Sequence, residues 1–130
     1  MGSGIDNEVV VYGGLVWLQN SENKLIRSNI PSNVDLKNFN KFILIDTGSP
    51  EHSTGEIVSM VREKHKQDPE HIEKIITRLD VASVRLYASV LGSDFNSFCV
   101  HLNDCGDELS KLGVVTDFAL KIIQEIKKIG

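Results

Sequence analysis

An α+β fold, with two to three antiparallel strands followed by four packed helices, is what this sequence predicts, on three observations. From Ser53 onward, apolar residues recur at steps of three and four, broken only at Asp68-Pro69, Gly92-Ser93 and Gly113. Ahead of them, two short β-branched and aromatic runs flank the polar Asn20-Ser21-Glu22-Asn23. Between these regions, Lys41-Phe42-Ile43-Leu44-Ile45 is a continuous apolar run of strand length. Strands first and helices after them is the order of an α+β domain rather than of alternating βαβ units.

The chain has 130 residues, a length that fits one domain with a respectable core. Its composition, 41% hydrophobic and 25% charged, is that of a globular protein rather than a disordered one. The net charge of −4, without any basic block, argues against a nucleic-acid surface. No window reaches the length of an apolar membrane span and no signal-peptide pattern opens the chain, so the expected location is the cytoplasm. Two cysteines, Cys99 and Cys105, are six residues apart and do not share a helix face, so they read as free thiols. The histidines at 52, 65, 71 and 101 are scattered without ligand spacing and read as solvated residues.

Taken in order, Gly2-Ser3-Gly4 forms a turn and Asp6-Asn7 caps whatever helix the Val9–Tyr12 run begins. Leu15–Gln19 and Lys24–Arg27 make a hairpin, and residues 28–40, with Pro31 and five Asn or Asp, read as a surface connection. Asp46-Thr47-Gly48-Ser49 then closes the Lys41–Ile45 strand. Its wording matches aspartic-protease sites, but that chemistry needs two such carboxylates in a nearly all-β setting. The expectation is a turn in which Gly48 supplies the unusual φ.

Ser53 and Glu56 have capping-box spacing, and Ile57, Met60 and Val61 give the first helix its stripe. Asp68-Pro69 opens the second helix, whose apolar positions run from Ile72 to Val90 and end at Gly92. Ser93 or Asp94 opens the third, with Phe95, Phe98, Leu102, Cys105, Leu109 and Leu112 expected as a buried seam stopped by Gly113. Thr116-Asp117 caps a last helix with Ala119, Ile122, Ile123, Ile126 and Ile129 expected to face inward.

Three phrases carry a resemblance. Ser3-Gly4-Ile5-Asp6-Asn7 followed by Tyr12-Gly13-Gly14 is similar to a segment of mevalonate kinases, within the GHMP family of small-molecule kinases. Thr54 with the hydrophobic pair after it, and Leu112-Gly113-Val114, resemble two later phrases of the same enzymes. The resemblance implies a fold like the C-terminal domain of GHMP kinases and transfer of the ATP γ-phosphoryl to a primary hydroxyl in the mevalonate (isoprenoid) pathway. It implies Asp6 as the catalytic carboxylate, Ser3, Gly4 and Asn7 as residues shaping its loop beside the substrate, and Thr54 as a substrate neighbour. His52 stands where many relatives carry arginine. No metal ligand is assigned on this chain.

The family's Gly-Leu-Gly-Ser-Ser-Ala phosphate loop and its later Gly-Ala-Gly-Gly-Gly-Gly phrase are not in this sequence. The resemblance thus implies a single domain over 1–130 that is part of a GHMP kinase, with ATP and Mg²⁺ bound by the complete enzyme and not by this chain alone. The expected small-molecule partner is mevalonate or a relative of it, without nucleic acid or membrane, and self-association through uncovered apolar surface is a further expectation. Another GHMP kinase or decarboxylase, and a non-catalytic interaction module derived from the family, are the alternative readings.

Overall fold

A computed structural model describes residues 10–11, 16–21, 24–39, 42–49 and 52–129. A two-stranded antiparallel sheet is followed by four helices. Strands β1 (Val16–Ser21) and β2 (Lys24–Asn29) pair in the register Val16↔Asn29 to Ser21↔Lys24, so the polar turn closes a hairpin as the sequence predicts. The helices are α1 (Thr54–Gln67), α2 (Pro69–Leu91), α3 (Phe95–Leu112) and α4 (Asp117–Ile129). Among the described residues, no helix is long and apolar enough to cross a membrane.

Helix starts follow local chemistry closely. Ser53 Oγ accepts the Glu56 N–H at 3.3 Å, while the Ser53 N–H donates to Glu56 Oε2 at 2.7 Å, which completes the capping box. Asp68 caps α2 by accepting the His71 N–H at 3.1 Å, with Pro69 in the first turn. Asp94 caps α3 by accepting the Ser97 N–H at 3.0 Å. At α4, Thr116 Oγ1 accepts the Ala119 N–H at 3.2 Å.

Two of these caps set an acid limit. The Ser53 backbone N–H, and then its hydroxyl, hold the Glu56 carboxyl below its ordinary value of 4.5. The Ser97 hydroxyl and N–H do the same for Asp94, whose ordinary value is 3.8. A lowered folded-state value means that the cap contributes fully above the ordinary value and is lost as pH falls through the lowered one. Thermal melts down the acid limb should therefore show α1 and α3 weakening below those ordinary values. Glu56→Gln and Asp94→Asn should each flatten that acid dependence; variants that track the wild type would disprove this origin.

The core lies where three helices meet. Ile72, Ile75 and Leu112 are buried together, with Val61, Leu79 and Val114 packed around them. Helix α2 packs most extensively on α3, and α1 lies on α2. The hairpin reaches the helices through Trp17, which stacks on Tyr87 of α2 with ring centroids 4.7 Å apart.

Several sequence expectations are corrected. The stretch read as a surface connection holds a buried residue: Phe39 ends a 3-10 turn (Lys37–Phe39) and meets Phe95 and Phe98 edge-on at 5.5 and 5.2 Å. The expected strand at Lys41–Ile45 is not formed over its described part. Residues 42–48 have no regular structure, and Ile43 and Leu44 are 89% and 98% exposed. Among the described residues the run pairs with neither strand of the hairpin, and a strand without a partner has no ladder to stabilise it. The turn after it is as expected, with Gly48 at φ +79° and its N–H donating to Asp46 Oδ1 at 2.8 Å. That contact gives Asp46 a structural role.

Helix α2 ends at Leu91 with Gly92 as its cap residue, as the sequence predicts. Gly92 stays right-handed at φ −81°, and Ser93 takes the left-handed φ of 55°. The Ser93 and Asp94 N–H groups then bond the Val90 and Ser89 carbonyls at 3.1 and 2.9 Å. Ending there lets Asp94 close α2 and cap α3 together.

The apolar faces of α3 and α4 are only half covered. Leu102 and Leu109 are exposed although they belong to the expected seam, and Glu108 is buried instead. Ile123, Ile126 and Ile129 of α4 are exposed where an inward face was expected. Among the described residues α4 touches the other elements sparsely, which leaves an open apolar groove of about 710 Å³ beside α3.

Candidate functional site

The site begins at the entrance of α1. Thr54 is its first residue and is exposed, between the Ser53 cap and the first apolar position, Ile57. One cleft of about 280 Å³ opens there, lined by His52, Ile57 and Met60 on one side and by Gly113 to Asp117 on the other. Thr54 does not line the cleft itself but lies between two residues that do.

The opposite wall is the turn joining α3 to α4, and its shape follows from Gly113. At φ +77° it takes the left-handed conformation, with its N–H and that of Val114 bonded to the Ser110 and Leu109 carbonyls at 3.0 and 3.4 Å. Lys64 of α1 reaches across and donates from Nζ to the Leu112 carbonyl at 2.8 Å. A cation on the last carbonyls of α3 complements the negative end of that helix. This bond ties α1 to the turn and fixes the two walls relative to each other. A Cβ on Gly113 would collide with Lys64 Nζ, so the glycine serves both φ and clearance.

Of the residues singled out in the sequence, Ser3, Gly4, Asp6 and Asn7 lie outside the described residues. Thr54 and the Leu112-Gly113-Val114 phrase are brought to the same region. Lys64 and the Thr116-Asp117 wall of the cleft were not singled out as site residues; a lysine at a helix end signals only a cation near a dipole, and nothing local names its remote acceptor. The other histidines form no constellation: His65 pairs with Glu73 and His101 with Asp104, each at 3.3 Å. Cys99 and Cys105 are free, and burial pushes the Cys105 thiol up, against a hydrogen bond with Ser83. A raised thiol is the opposite of an activated nucleophile, which rules Cys105 out of that role.

No group of three or more His, Cys, Asp or Glu side chains converges among the described residues to hold a metal ion. The α1 N-terminus already accommodates the Glu56 carboxylate, and Asp117 adds a negative group to the cleft wall. A triphosphate would meet like charge there. The cleft walls combine the apolar Ile57, Met60, Val114 and Val115 with the polar Thr116.

No protein family, curated protein or solved structure matches this chain.

Proposed function

We propose that this chain is a portion of an ATP- and Mg²⁺-dependent small-molecule kinase resembling mevalonate kinase, which transfers the γ-phosphoryl of ATP to a primary hydroxyl. The observation that carries the reading is a juxtaposition. Two phrases picked out by the resemblance are far apart in sequence, and the helix that Thr54 begins, through Ile57 and Met60, lines one cleft together with Gly113 and Val114 of the other. A role in phosphoryl transfer needs little covalent chemistry from the protein, because positioning and electrostatics dominate. In this reading Asp6 accepts the proton of the attacking hydroxyl, with Ser3, Gly4 and Asn7 shaping its turn. Thr54 borders the substrate, and the Lys64–Leu112 tie keeps the cleft walls in register. Nucleotide and metal ligands come from parts of the complete enzyme outside these 130 residues.

The test is an assay of the complete reading frame that contains this sequence, with mevalonate as acceptor and MgATP as donor. Stoichiometric ADP and a phosphorylated primary hydroxyl are the expected products. A folded full-length protein that phosphorylates no primary alcohol of this class would overturn the proposal.

A further inference from the structure

Helix α4 covers only part of its apolar surface. Leu120, Ile123, Gln124 and Lys127 face the groove beside α3, where Lys127 Nζ donates to Asp107 Oδ1 at 3.5 Å. Phe118, Ile122, Ile126 and Ile129 recur at steps of four, four and three, which makes a second stripe on another side of the helix. Ile122 is half-buried, but Phe118, Ile126 and Ile129 are 57%, 44% and 87% exposed. An uncovered stripe of this kind is a seam for another helix.

The charges beside the stripe say which helix fits. Each stripe residue directly follows a charged one, in the order Asp117, Lys121, Glu125 and Lys128, so the charges form a flank along the stripe. Taken from the other end, the flank has the opposite sign at every place. Asp117 and Lys121 make no ion pair among the described residues. Glu125 takes Lys128 on one carboxylate oxygen at 2.5 Å and keeps the second. We propose that this stripe is the interface through which two copies of the chain pair, α4 against α4 and antiparallel. In that register Lys121 of one copy meets Glu125 of the other, twice by symmetry, and Asp117 meets Lys128 at either end. The stripes interleave, with Ile122 of one copy between Ile122 and Ile126 of the other. A parallel pair would put the two charged flanks on opposite sides of the seam, where they do not meet. The inference does not rest on the kinase reading.

Charge reversal on the whole chain tests the register. Sedimentation over a concentration series should show a reversible monomer–dimer equilibrium for the wild type. Lys121→Glu, or Glu125→Lys, sets like charges against each other twice and should weaken association about tenfold. The double variant restores each opposite pair in the reversed sense and should dimerise as the wild type does. Mixed with the wild type it should form no heterodimer, because every pair across that seam would be like on like. Far-UV circular dichroism checks the fold of each protein, and the double variant decides the matter if a single reversal unfolds. A wild type that stays monomeric, or whose stripe takes up phosphatidylserine vesicles as a monomer instead, would overturn the proposal. So would single reversals that associate as well as the wild type, a double variant no better than its parents, or free exchange between it and the wild type.

Discussion

Asp6→Asn in the complete enzyme is expected to lower kcat by roughly 10²–10⁴-fold, the usual worth of one general base. In the kinase reading nucleotide affinity should change little, because the carboxylate would act on the acceptor hydroxyl and not on the phosphates. The asparagine keeps the size of the aspartate and one oxygen that accepts hydrogen bonds. What is removed is the ability to accept a proton. Rapid-quench measurement of the chemical step separates this effect from slow product release. Turnover within a few-fold of wild type would remove Asp6 from the chemistry.

Gly113→Ala should destabilise the fold by about 1–5 kcal/mol, from two sources. A left-handed φ of +77° costs an L-residue about 1–2 kcal/mol. The new methyl group also meets Lys64 Nζ, the far end of a flexible side chain, so the lysine shifts and gives up part or all of a charged hydrogen bond to the Leu112 carbonyl worth about 1.5–3 kcal/mol. Against a total of about 5–15 kcal/mol for a domain, this is a large fraction. Lys64→Met separates the two sources. In that background Gly113→Ala should cost only the backbone term, and the difference measures the coupling between α1 and the turn. Urea unfolding of the four proteins gives the cycle; strictly additive losses would show that the Lys64 bond is independent of the glycine.

Local chemistry determined much of this protein. The caps at Ser53, Asp68, Asp94 and Thr116, the polar turn of the hairpin and the left-handed Gly48 and Gly113 were legible because each depends on a few neighbouring residues. Periodicity gave the helices but not their cover. A stripe such as Leu102–Leu109 or Ile123–Ile126 says which face is apolar, whereas burial depends on whether another element arrives to lie on it. Here α2 arrives at one flank of α3, and α4 scarcely does at the other. The same distinction explains Phe39 and the Phe42–Ile45 run. One aromatic in a polar stretch packs on Phe95 and Phe98, while a run with every mark of a strand joins no sheet among the described residues. Only the tertiary structure decided that Lys64 would close on the Leu112 carbonyl and bring the α1 entrance opposite the α3–α4 turn. The reason is that such a contact depends on distances between remote segments, and no local spacing encodes them.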